Sequence, residues 1–305
     1  MPLYGCNLLS LGRLAPASTT DSSMITTASL LLFLAPLCAP TASSTQQLLS
    51  VEPLVTVAAA SLQDDEEKEK PDKREEIKAA IKELKGHIGK RGDEDPQALA
   101  IIDTLLTEFP ESGPKDRKAI VKGLGGCLKQ KRKPSKEGVV DNKLHIASAT
   151  ALGRMAPESV KELVTWVGHK NFSKDYAAKR AIILALGTTK HEDAIEPLVD
   201  LLPHHEPQVQ AGAAEALNQF VDFDSKVRKD IFKEVLDELA RVKNSLDVNP
   251  TDPIVKQRWG SIAGPMLRTL SDLSGHDAGD PMEFRSWWND NKKRDWDKAE
   301  KGKDA

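Results

Sequence analysis

Aromatic residues are scarce in this chain, with 5 Trp, 2 Tyr and 7 Phe among 305 residues. Sheets favour aromatic and β-branched side chains at strand positions. Here Ala, Leu, Lys and Glu are abundant, and these unbranched side chains lose little rotamer freedom in a helix. No stretch shows period-two alternation between tight-turn residues, so strand is excluded as a main element. Excess charge of one sign is also missing. Lys and Arg number 43 against 46 Asp and Glu, a formal net charge of -3. That balance gives no global attraction to nucleic acid or to an anionic membrane. Only Cys6, Cys38 and Cys127 carry thiols. No HExxH, no CxxC and no Gly-Lys-Ser/Thr occurs, which removes the common zinc and phosphate-loop signatures.

The first 62 residues differ in kind from the rest. They hold one basic residue, Arg13, and two acids, Asp21 and Glu52. Within them "SLLLFLAPLCA" (Ser29–Ala39) has the length of a signal-peptide core and is too short to span a bilayer as a helix. Small residues follow, giving signal-peptidase sites after Ala42 or after Ala60, with Met1 or Met24 as the start. The expectation is an exported protein, periplasmic or extracellular, with no stable membrane span once the leader (residues 1–62) is cleaved at one of these sites. Bulky Leu37 before Cys38 argues against lipidation. Cleavage would leave Cys127 alone, so packing rather than a disulfide must hold the fold. Residues 63–76, "QDDEEKEKPDKREE", carry no apolar side chain to bury and read as a charged, disordered spacer.

From residue 77 to 275 one helix follows another. Ile77, Ile81, Leu84 and Ile88 share a face, as do Leu99, Ile102, Leu105, Leu106 and Phe109. Four segments align: "KAIVKGLGG" (Lys118–Gly126), "IASATALGR" (Ile146–Arg154), "RAIILALGT" (Arg180–Thr188) and "AGAAEALNQ" (Ala211–Gln219). Their shared leucines are Leu124, Leu152, Leu186 and Leu217, a period of roughly 30 residues that suits stacked helix pairs. Partner helices "SVKELVTWV" (Ser159–Val167) and "AIEPLVDLL" (Ala194–Leu202) precede two of them, placing Leu163 on Leu198 and His169 on His204. Ala147, Ala151, Ala181, Ala185, Ala213 and Ala216 let helix axes approach closely. One pair cannot bury both its apolar faces, but a stack can. The fold class is therefore all-α, an α-solenoid of antiparallel helix pairs. Two long helices follow, "KVRKDIFKEVLDELARVKNSL" (Lys226–Leu246) and "IVKQRWGSIAGPMLRTLSDLSG" (Ile254–Gly275). The second is expected to kink or divide at Gly264-Pro265.

The segment "DAIEPLVDLLPHHEPQVQAGAAEALNQF" (Asp193–Phe220) resembles a HEAT-type repeat of the short kind found in phycobilin lyases. It keeps Val209, Ala213, Ala216 and Leu217 of that pattern, with Gln210 where arginine is common and Asn218 where glycine is common. The resemblance is clear over roughly residues 143–220 and implies an interaction or scaffolding module, non-catalytic, with a protein partner. The second helices of such arrays usually line a concave face. Lys143, Lys174, Lys179, Gln208 and Gln210 fall near their starts and form the expected partner surface. A lyase-like or chaperone-like helper that holds a cofactor or client on that face remains open. So does nucleic-acid binding through the basic loop 129–136 within "LKQKRKPSK", although a loop without interleaved aromatics favours a solvated linker.

No catalytic, metal or cofactor residues are assigned. His204, His205 and Glu206 are contiguous, but neighbours in a turn point apart, and no second cluster stands at ligand spacing. Cys127 in "GLGGCLK" lacks a recognisable base and reads as core filler. The tail "FRSWWNDNK" resembles the ending of exported HEAT-repeat proteins of planctomycete-like bacteria. Phe284, Trp287 and Trp288 have the i, i+3, i+4 spacing of one helical face. Residues 276–305 are thus expected to be a cap helix and charged tail, with these aromatics laid on the "IAGPMLRTL" helix.

Overall fold

The computed structural model describes residues 70–132 and 140–299. The leader, its two cysteines and residues 63–69 of the spacer lie outside the described residues, as do 133–139 and 300–305. The described residues belong to the unit Asp65–Ala305.

Twelve helices and no strand occur among the described residues. They are α1 (Glu75–Ile88), α2 (Asp95–Glu108), α3 (Pro114–Leu128), α4 (Lys143–Gly153), α5 (Val160–Val167), α6 (Tyr176–Thr188), α7 (Ile195–Val199), α8 (Pro207–Leu217), α9 (Ser225–Val248), α10 (Pro253–Ser274), α11 (Pro281–Asn291) and α12 (Trp296–Ala299). Local chemistry sets many of the starts. Proline occupies the first turn of α2, α3, α8, α10 and α11, where its missing N–H costs nothing. Asp175, Asp224, Asp252 and Asp280 cap α6, α9, α10 and α11 by accepting backbone N–H groups. Gly275, with φ at 66°, ends α10 in the left-handed conformation that glycine adopts without strain.

The helices pack as consecutive pairs, α1 with α2, α3 with α4, α5 with α6, α7 with α8, and α9 with α10. Second helices form one row, α2–α4–α6–α8–α10. First helices form the other. There α3 lies between α1 and α5, and α9 lies between α7 and α11. The apolar stripes seen in the sequence face the space between the rows. Ile77, Ile81, Leu84 and Ile88 are buried, as are Leu124, Leu152, Leu186 and Leu217.

Three expectations are corrected. α3 carries "KAIVKGLGG", which aligns with the second helices, yet it is a first helix. Its glycines serve its neighbours in that row: a Cβ on Gly123 would meet Ile81 of α1, and one on Gly125 would meet Glu162 of α5. α10 is not divided at Pro265 but runs unbroken to Ser274, with Ile262, Met266, Thr269, Leu270 and Leu273 buried along it. Residues 70–76 are docked rather than free. Asp72 accepts the N–H groups of Lys115 and Asp116 at 2.9 Å each, capping α3, while Asp116 accepts those of Lys73 and Arg74 at 3.0 Å each. Charged residues without an apolar side chain are held here by reciprocal capping, which hydropathy does not register.

The row α4–α6–α8 is parallel and very close. At its C-terminal end a Cβ on Gly153 would stand 2.8 Å from the Ala185 carbonyl oxygen, and one on Gly187 would stand 2.7 Å from both Cα and carbonyl oxygen of Ala216. At its N-terminal end Asn142, before α4, donates to the Asp175 carboxylate at 2.8 Å. The third copy has Asn218 in place of glycine, and there the next contact is polar: Asn218 donates to Asp272 at 2.8 Å, and the Thr269 hydroxyl donates to the Ala214 carbonyl at 2.9 Å. Gly187→Ala is therefore expected to destabilise the chain by about 1–3 kcal/mol, the usual cost of overpacking. Gly168→Ala, which meets nothing within 4 Å, should leave the urea midpoint unchanged or slightly higher. Equal midpoints for the two variants would contradict the contact.

Candidate binding face on the second helices

An open groove of about 610 Å³ runs between α4 and α6 and reaches the start of α8. From α4 and the residue that ends it, it takes Ile146, Thr150 and Arg154, four residues apart and so on one face. From α6 it takes Ala177, Arg180, Ala181, Leu184 and Thr188, again a single helical stripe, and Gln208 closes it from α8. Ile146 is 41% exposed, an unusual place for a large aliphatic side chain in an array that buries so many others. Arg180 forms an ion pair with Glu215 of α8, and its aliphatic stem lies against Gly212. The face thus offers an apolar floor flanked by guanidinium groups.

Beside this groove, the residues before the last three of the four aligned segments occupy equivalent places on α4, α6 and α8. These are His145, Lys179 and Gln210, and all three are buried polar groups. His145 Nε2 lies 2.8 Å from the Gln130 carbonyl, and its ring meets Phe172 edge-on at 5.5 Å. Lys179 Nζ lies 3.3 Å from His204 Nε2. Gln210 donates to the Leu202 carbonyl and to Glu238 Oε1, the latter at 2.7 Å. His145 and Gln210 therefore hold an adjacent turn or helix through a buried hydrogen bond, while Lys179 meets only a ring nitrogen.

The five residues expected to form a partner surface separate accordingly. Lys143, Lys174 and Gln208 are exposed, and Gln208 lines the groove. Lys179 and Gln210 are corrected: they face inward, Gln210 with no exposure at all. Their polarity suggested solvent, but their partners, His204 and Glu238, arrive from elements 25 and 28 residues further along. The basic loop changes too. Lys129 and Lys131 are exposed, whereas the Arg132 side chain is only 4% exposed and is paired with Asp95 at 2.7 Å. Lys133 to Lys136 lie outside the described residues.

Three histidines serve as turn caps. His169, His191 and His204 accept through Nδ1 from the N–H two residues on, at 3.2, 3.2 and 3.0 Å. Among the described residues no group of His, Cys, Asp and Glu is arranged to hold a metal ion. Cys127 is buried, and its removal from water pushes its pKa up to about 12, so at neutral pH it is a thiol.

The C-terminal aromatics meet on α9, not on α10. Phe232 of α9 stacks on Trp288 at 5.3 Å, and Phe284, Trp287 and Trp296 surround it at 6.0, 5.7 and 5.5 Å. α11 continues the first-helix row, and that is why its aromatics find α9. Trp296 was not singled out in the sequence. It is buried and donates its indole N–H to the Asn291 carbonyl at 3.2 Å.

A family model described as HEAT repeats matches residues 140–217 and again 170–246. Residues 140–246 are HEAT repeats. The matched segment covers α4 to α8 and most of α9, so the groove and all three buried polar positions lie within the HEAT repeats. No curated protein matches the chain. Among the described residues no helix is long and apolar enough to cross a membrane.

The buried His145 and the half-buried His204 make stability depend on pH. Burial lowers the pKa of His145, and burial with the nearby cations Lys179 and Arg258 lowers that of His204. A folded-state pKa below the unfolded value of about 6.5 means the unfolded chain takes up protons first as pH falls. Stability should be full above that value and decline as pH drops below it. Urea unfolding at several pH values checks this, and His145→Gln should flatten the acid limb.

Proposed function

We propose that this chain works as a protein-binding module rather than as a catalyst, and that it recognises its partner along the α4–α6–α8 face. The observation that carries the proposal is Ile146, left 41% exposed in a groove whose other walls are Ala177, Ala181 and Leu184. Apolar surface of this kind at the mouth of a concavity is a recurrent mark of an interaction site. HEAT repeats supply the second support, since a stack of rigid helix pairs presents an extended surface with little ordering cost on binding. Arg154 and Arg180 at the groove edges suit a partner segment that carries aliphatic anchors and acidic side chains. In this account the aromatic seat on Phe232 closes the first-helix row and takes no part in recognition.

Site-specific photo-crosslinking tests the proposal. A photoreactive residue at position 146 is expected to capture a defined protein from the native cell. The same probe at Val248, 76% exposed at the far end of α9, should not. Ile146→Glu should abolish a capture made from position 150 while leaving the melting temperature unchanged. Equal capture from 146 and 248, or capture from 150 that survives Ile146→Glu, would refute the assignment.

A further inference from the structure

At the α6–α8 edge two hydrogen-bond donors, on Lys179 and His204, face each other. His204 Nδ1 accepts the N–H of Glu206 at 3.0 Å, and a neutral imidazole that accepts at Nδ1 carries its proton on Nε2. That N–H stands 3.3 Å from Lys179 Nζ, an ammonium that has three donors and no acceptor. Lys179 is 9% exposed, and among the described residues no carboxylate pairs with it. Arg258 reaches the same turn from α10, donating Nη2 to the His204 carbonyl at 3.2 Å, while its Nε is buried without a partner. The carboxylate that Arg258 faces, Glu238, stands off at 3.9 Å and already accepts from Gln210 at 2.7 Å and from Arg241 at 2.5 and 2.8 Å. His205 stacks on His204 at 4.3 Å and meets Tyr176 edge-on. Burial, the largest cause, and the nearby Lys179 and Arg258 charges lower the His204 pKa.

We propose that Lys179, His204 and Arg258 form a binding site for an oxyanion, a phosphate or carboxylate group. One oxygen placed between the Lys179 ammonium and the His204 Nε2–H accepts from both. This turns an opposition of donors into two charge-assisted hydrogen bonds. The Arg258 guanidinium, bonded to the His204 carbonyl, adds positive charge at the same turn. Burial strengthens these interactions, because a charge that is poorly screened by water attracts an anion more strongly. The site is separate from the apolar groove, since Lys179 lies on the inward face of α6 and Arg180 on the outward one. It does not depend on how the groove is used.

The test uses the full chain labelled with ¹⁵N, following the His204 ring nitrogens and Lys179 Nζ by NMR at about pH 7 and constant ionic strength set with chloride. Inorganic phosphate is added in one arm and acetate in the other, which tells the two oxyanions apart. The expected result is a saturable shift of both residues with at least one of them. Binding should weaken by about tenfold or more, equivalent to about 1.4 kcal/mol, in Lys179→Met and in His204→Asn. The latter keeps an oxygen to accept the Glu206 N–H but lacks the Nε2 donor. Arg258→Gln, at a half-buried side chain, should also weaken binding and serves if the Lys179 variant does not fold. The proposal fails if Lys179 titrates as a neutral amine near pH 7, its lone pair accepting the His204 N–H. It also fails if neither residue responds to either anion, or if the response is unchanged in the variants.

Discussion

The close approach of α4, α6 and α8 is the constraint on which most of this structure depends. A Cβ on Gly153 or Gly187 would come within 3 Å of the neighbouring backbone, so the helices can stand this near only because glycine faces alanine at each contact. The approach fixes the row as parallel and sets the spacing at which Arg180 can reach Glu215 and Asn142 can reach Asp175. It also decides what the outer face shows. Side chains too large for the contact turn outward, and Ile146, Leu184 and the stems of Arg154 and Arg180 end up lining a groove. Where the row reaches α10 the device changes from a glycine contact to hydrogen bonds, through Asn218 and Thr269. The loss of glycine at position 218 marks that change.

Much of this is legible in the sequence because periodicity reports burial. Leu152, Leu186 and Leu217 repeat at helix-pair spacing, and each is fully buried. The same logic misplaced α3, since its glycines and Leu124 imitate the second-helix pattern. The residues that settle its row, Ile81 and Glu162, sit in other helices. A signal was present nonetheless: no apolar helix intervenes between Leu128 and Lys143, so α3 and α4 must pair directly. Lys179 and Gln210 were legible as polar but not as buried. Residue type reports what a side chain needs, and whether protein or water supplies it depends on which element folds over it. The tail shows a comparable division. The i, i+3, i+4 spacing of Phe284, Trp287 and Trp288 predicted a single aromatic face, while its seat on Phe232 follows from the order of the rows, a tertiary property.

The buried polar side chains at equivalent positions of α4, α6 and α8 give the array a second kind of specification. Apolar contacts alone tolerate sliding of one helix pair past the next. A donor that must meet a particular carbonyl, as His145 meets Gln130 and Gln210 meets Leu202, fixes the register. The rungs differ chemically although their places are equivalent. His145 and Gln210 each find an acceptor within the protein, whereas Lys179 finds only the ring nitrogen of His204. His145 and Gln210 each hold an adjacent segment through one bond to a carbonyl, and Lys179 between them is where, among the described residues, the fold leaves charge without a carboxylate.

If glycine contacts at one end and the Asn142–Asp175 bond at the other knit the second helices together, α4, α6 and α8 should open as one cooperative unit. Native-state hydrogen exchange at increasing urea measures this directly. The account predicts that interior amides of the three helices merge into one opening, with a common free energy and a common dependence on denaturant. An opening that exposes α8 while α4 and α6 keep separate, higher protection would show that the helices are stacked but not knit, and would contradict it.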